Sequence, residues 1–158
     1  MRTINIDVYE YDELSEDAKE KAREWCADWI GDYDWWNFVY DNAKQIGLNI
    51  ESFDLYRHEI DGKLTVDAVE CAENIKREHG EKSETYKTAH AFLKEYALIP
   101  NSNEDKQDEA VEEFERSLLE DYRGILQKEW DAMFETENLE ETIRLNEYTF
   151  TSDGKRFG

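Results

Sequence analysis

The sequence is poor in the residues on which most recognisable chemistry is built. It has one proline, seven glycines, two cysteines and three histidines in 158 residues. Gly31, Gly47, Gly62, Gly80 and Gly154 fall where helices stop or chains turn, Gly124 sits inside a helical pattern and Gly158 is last. None is left for a phosphate-cradling loop, and neither GxGxxG nor GxxxxGK[ST] occurs. His58, His79 and His90 stand apart, with no HExxH and no Cys/His cluster, which argues against zinc. No serine lies in a GxSxG turn. Cys26 and Cys71, without CxxC spacing, read as reduced, small apolar side chains of a cytoplasmic protein. No apolar run approaches a membrane span, and the opening MRTINIDVYEYDE does not have the organisation of a signal peptide. Cations are scarce too. Nineteen Lys and Arg face 40 Asp and Glu, a formal charge of −21, which repels nucleic acid and anionic membranes alike.

Aromatic residues are plentiful: five Trp, nine Tyr and seven Phe are too many for a solvated acidic coil, so the chain folds. Its length suits a single acidic domain over residues 1–158. Residues 3–9 alternate, with Ile4, Ile6 and Val8 on one side, and predict a half-buried strand. Ser15 followed by Glu16 and Asp17 starts a helix to residue 30 with Ala18, Ala22, Trp25 and Trp29 on one stripe. A second helix, 34–46, carries Trp36, Val39, Ala43 and Ile46 and stops at Gly47. Residues 48–60 are β-rich, Asp61-Gly62 signals a hairpin turn, and 63–66 forms the return strand.

Asp67 with Glu70 resembles a capping box opening a helix to His79, where a cation suits the C-terminal end. Ser83 caps a helix with Tyr86, Ala89, Leu93 and Tyr96 inward, ended by Pro100. The longest pattern runs from about 106 to 134, with Gly124 marking a bend or a close approach. Asn138 with Glu141 caps a last helix to Leu145, and 147–157 forms a final hairpin about Asp153-Gly154. The expected fold class is α+β: a small antiparallel sheet packed with five to six helices, one of them long.

Charge is concentrated at the two ends of the chain. Glu104–Asp121 holds nine acids against Lys106 and Arg116. On a helix that is one net charge per roughly 4 Å of axis, sparser than the roughly 1.7 Å of duplex DNA. A second cluster comprises Glu10, Asp12, Glu13, Glu16, Asp17 and Glu20. Acids near helix starts and on solvated faces explain part of this. The alternative is that the carboxylates stand in for phosphates in the basic groove of a nucleic-acid-handling protein. The candidate partner-binding residues are Asp105, Asp108, Glu109, Glu112, Glu113 and Glu115, with Asp12, Glu13 and Glu16. Trp35, in the acid-ringed run 31–36, is a candidate aromatic anchor, although a second packed layer against the sheet accounts for it better.

Asn101, Asn103, Asp105, Glu109 and Glu112 have the spacing of an EF-hand loop, but Lys106 stands where that loop needs glycine. Acid pairs capable of general acid–base work arise by chance among 40 carboxylates. The expectation is a non-enzymatic protein with no cofactor and no metal; a small metal-dependent module is the remote alternative.

Three stretches, YDELSEDAKEKAREWCADW (11–29), DWWNFVYDNAKQIG (34–47) and LEETIRLNEYTFTSDGKRF (139–157), resemble a family of short acidic bacteriophage and prophage proteins often labelled "antitoxin of toxin–antitoxin stability system". Relatives continue after the second helix with an FSGFWSQGDGA-like segment, where this chain reads LYRHEIDGKLTV. The resemblance implies a phage-type accessory protein in the cytoplasm of a bacterial host. The expectation by analogy is that such a protein blocks a host defence protein, a CRISPR effector or restriction nuclease, by occupying its basic groove, with neutralisation of a cognate toxin as the alternative. Either way the implied partner is a basic protein, with no direct contact to nucleic acid or membrane.

Overall fold

The computed structural model describes residues 1–158. Its elements in chain order are β1 (Tyr9–Glu10), a 3-10 turn (Tyr11–Glu13), α1 (Glu16–Ile30), α2 (Asn37–Ile46), β2 (Leu48–Asp54), β3 (Glu59–Leu64), α3 (Ala68–Glu78), α4 (Glu84–Ala97), α5 (Glu104–Met133), α6 (Thr136–Leu145), β4 (Thr149–Phe150) and β5 (Arg156–Phe157). The fold is α+β: six helices, a three-stranded antiparallel sheet in the order β1-β4-β5, and a β2-β3 hairpin. No helix is long and apolar enough to cross a membrane. The sequence reads as one domain; in the structure the chain divides into two compact units, residues 1–35 with 129–158, and residues 36–128.

In the first unit, Ser15 caps α1 by accepting from the Ala18 N–H at 3.2 Å. The fully buried stripe of α1 is Ala18, Ala22 and Cys26, small residues that admit Leu139 and Ile143 of α6. Trp25 and Trp29 flank that stripe and are only half-buried. The Trp25 ring packs edge-on against Tyr148 and Phe150, at centroid distances of 5.1 and 5.9 Å.

The expected strand over 3–9 is corrected to two residues. Tyr9 pairs with Phe150 and Glu10 with Thr149, and there β4 ends, because Thr151 turns into the hairpin. Without a ladder partner, Ile4, Ile6 and Val8 are exposed rather than half-buried, and Tyr9 supplies the inward side chain. The hairpin closes at Gly154, whose φ of +86° suits glycine and whose missing Cβ leaves room for the Ala18 carbonyl. The expected cap at Asn138 is also corrected. The helix starts at Thr136 after Glu135, and the Asn138 Nδ2 instead donates to the Ala132 carbonyl at 2.6 Å.

In the second unit, the hairpin turn lies at residues 55–58 rather than at Asp61-Gly62. The Asp54 carboxylate accepts from the Arg57 N–H at 3.1 Å, and His58 takes the left-handed φ of 57°. Gly62 sits within β3 opposite Ile50, where a Cβ would come within 2.5 Å of the Asn49 carbonyl and 2.9 Å of Leu119. The glycine serves close packing, not turning. Asp67 and Ser83 both cap as their positions imply, accepting from the N–H groups of Val69 at 2.9 Å and Tyr86 at 3.2 Å.

The inward face of α4 is Thr85, Ala89 and Phe92, with Phe92 stacked on Phe114 of α5 at 4.4 Å; Tyr86, Leu93 and Tyr96 are half-buried beside it. Along α5, Ala110, Phe114, Leu118, Leu119, Tyr122 and Leu126 are buried, and the Tyr122 hydroxyl donates to Asn42 at 2.8 Å. A Cβ at Gly124 would meet nothing within 4 Å, so the residue marks no close approach.

Candidate protein-binding surface

The first three turns of α5 sort their residues by face. Ala110 and Phe114 are buried, whereas Glu104, Asp105, Asp108, Glu109, Glu112 and Glu113 are all exposed. At about 100° per residue, Asp105, Asp108, Glu109, Glu112 and Glu113 lie within an arc of roughly 140°. None of these six carboxylates is in an ion pair. Neighbours three and four apart therefore repel, and the helix is held in place by its opposite, apolar face. Lys106 and Arg116 are also exposed and unpaired, so the array is strongly but not purely anionic. Glu115 departs from the set. It is half-buried and accepts, at 3.5 Å, from the backbone N–H of Leu64 in β3.

The second candidate cluster is differently disposed. Asp12 takes a bidentate contact from Arg144, with Nη2 at 2.8 Å and Nε at 3.1 Å, and this hydrogen bond holds its carboxyl below the usual aspartate range. Arg144 also lies 3.8 Å from Glu140. Glu140 in turn accepts from the Tyr11 hydroxyl at 2.6 Å and lies 3.9 Å from Arg23. Burial, then the Glu140 bond, pushes the Tyr11 hydroxyl up to about 12. Glu13 accepts from the Glu10 N–H at 2.8 Å at the head of the 3-10 turn, and Glu16 lies 3.7 Å from Lys19. Asp12 is tied to a distant element and Glu13 and Glu16 to neighbours on their own turn, whereas Glu104, Asp105, Asp108, Glu109, Glu112 and Glu113 of α5 have no ion-pair partner. Trp35 is half-buried against Trp130, centroids 5.6 Å apart; the exposed ring of this run is Tyr33.

The EF-hand-like spacing does not form a loop, since every position from Asp105 onward lies in α5. Nor does any group of three or more His, Cys, Asp or Glu have the arrangement to hold a metal ion. Both cysteines are buried thiols, pushed by desolvation to about 11 at Cys26 and about 12 at Cys71, and so are poor nucleophiles.

An open groove of about 800 Å³, absent from any local pattern in the sequence, lies in the second unit between the hairpin, α4 and α5. His58, Thr88, Arg116, Glu120 and Asp121 line it over Ile60 and Leu119. Asp121 there is half-buried, accepts from the Thr88 hydroxyl at 2.5 Å, and is raised above the usual aspartate range by desolvation. Glu120 is lowered by its bonds from Arg123, whose Nη1 is also 3.2 Å from His58. The Arg144–Asp12 tie, spanning 132 positions, was likewise beyond any local signal. No protein-family model, no curated protein and no solved structure matches the chain.

Proposed function

We propose that this protein is an acidic inhibitor that binds a cationic, nucleic-acid-handling host defence protein, a CRISPR effector or restriction nuclease, with the carboxylate face of α5 in its groove. The observation that carries the reading is the set of six exposed, unpaired carboxylates between Glu104 and Glu113. Ten helical residues span about 14 Å and, with Lys106 among them, carry five net negative charges, one per roughly 2.7 Å of axis. That falls between the charge spacings of duplex DNA and of one of its strands, about 1.7 and 3.4 Å. A rigid helix presents these charges already ordered, and complementary fields speed the encounter with a basic surface. The resemblance to phage and prophage proteins supports a host defence protein as the target; an antitoxin acting on a basic toxin is the alternative from the same resemblance.

The test is capture of bacterial nucleases and defence complexes on the purified protein at low and high salt, followed by competition with DNA or RNA for the captured protein. Binding that weakens steeply with salt and is displaced by nucleic acid supports the reading. Reversing Asp105, Asp108, Glu109 and Glu112 to lysine together should abolish it, while single reversals each do little. A salt-independent affinity, or full binding by the four-fold variant, overturns it.

A further inference from the structure

Residues 1–8 keep the period-two apolar pattern of a strand but have no strand to pair with. Ile4, Ile6 and Val8 are 77%, 55% and 43% exposed, on the segment that leads directly into β1. β1 pairs with β4 on one side only, and no strand lies along its other edge, although the Glu10 N–H is already bonded to Glu13. In a strand continued back from Tyr9, which is paired with inward-facing Phe150, alternation would put Ile4, Ile6 and Val8 on the outward side of the sheet. An open edge with an aliphatic strip is a template for adding a strand.

We propose that this arm pairs antiparallel with the same arm of a second copy, about a two-fold axis through Ile6. The sequence selects both the occupant and the register. Centred on Ile6, the pairing sets Ile4 against Val8, Asn5 against Asp7 and Arg2 against Glu10 of the other copy, so Arg2 meets an acid at both ends. Centring on Asp7 instead opposes two aspartates, which is destabilising. Centring on Asn5 leaves Arg2 against Val8. A one-residue slip to an odd register places the aliphatic residues on opposite faces. The contact is small, so the dimer is weak, with a Kd of order ~10–1000 µM. Two bodies of charge −21 repel, and added salt therefore strengthens this association. That is the opposite of the salt response expected for α5 on a basic partner, so the two proposals succeed or fail separately.

Sedimentation of the full chain over a concentration series reads the dimer, and cysteine cross-linking reads the register. The native thiols, Cys26 and Cys71, are buried and leave the assay clean. With Ile6→Cys the paired Cα atoms lie about 4.5–5.5 Å apart, inside the disulfide window of about 4.4–6.8 Å. With Asn5→Cys the two thiols are two positions out of register, about 8.5 Å apart, and do not bridge. Dimer at high concentration, selective bridging by Ile6→Cys, and at least a tenfold weaker dimer for Ile6→Asp with unchanged circular dichroism are the expected results. A monomer at every concentration and salt, equal bridging at both positions, or an arm that pairs only with the edge strand of another protein overturns the proposal.

Discussion

Two glycine-to-alanine substitutions, identical in chemistry, are expected to move stability in opposite directions. At Gly154 the φ of +86° is costly for an L-residue, by about 1–2 kcal/mol. The added methyl also meets the backbone carbonyl of Ala18, in the first turn of α1, a group that cannot swing aside as a side-chain tip would. Overpacking of that kind adds about 1–3 kcal/mol. Restricting the unfolded chain returns about 0.4–1 kcal/mol, so Gly154→Ala should destabilise by about 2–4 kcal/mol. At Gly124 a Cβ touches nothing within 4 Å, and the residue lies in the interior of α5. There alanine gains its helix propensity, about 1 kcal/mol. Urea titration followed by far-ultraviolet circular dichroism measures both. With a slope of about 2 kcal/mol/M, the midpoint should fall by about 1–2 M for Gly154→Ala and rise by about 0.5 M for Gly124→Ala. A Gly154→Ala midpoint within error of the parent would refute the packing of the hairpin on α1. A destabilised Gly124→Ala would mean that α5 is approached there by something the structure does not place near it.

Two further outcomes follow from the charge distribution. Glu109 has Asp105 four residues before it and Glu112 and Glu113 three and four after, all unpaired. Glu109→Gln should therefore raise stability by a few tenths of a kcal/mol, less at high salt, when thermal melts are compared at two ionic strengths. His79 is lowered below the usual histidine range, mainly by desolvation; its Nδ1 lies 2.6 Å from the Thr85 hydroxyl and its buried Nε2 has no partner. The unfolded chain then takes up the proton first. The contribution of His79 is accordingly present above about pH 6.5 and is lost as pH falls through the unfolded value toward the lowered folded one. Comparing the parent with His79→Gln between about pH 5 and 7.5 isolates this slope. Equal slopes would refute it.

The helices were legible in the sequence because their determinants are local: Ser15, Asp67 and Ser83 cap where their side chains reach the next N–H groups, and α5 follows from apolar spacing. The acidic face of α5 was legible in part for the same reason: helical spacing puts Asp105, Asp108 and Glu112 on one side, and they are exposed there, but Glu115, which the same spacing sets beside them, is half-buried against β3. What failed was whatever depended on a distant partner. The alternation at 3–9 specifies a strand only if another strand runs beside it, and β4 ends too soon. Asp61-Gly62 is a turn signal in isolation, but the need for space beside Asn49 and Leu119 claims that glycine for packing.

Sequence by itself determined that the chain folds, that it is helix-rich, and that it carries a large unbalanced negative charge, because composition and short-range spacing fix these. Only the tertiary structure decided which acids are free. Arg144 reaches Asp12 across the first unit while no cation reaches Asp108 or Glu112, and a Coulombic contact depends on distance in space, which the order of residues does not record.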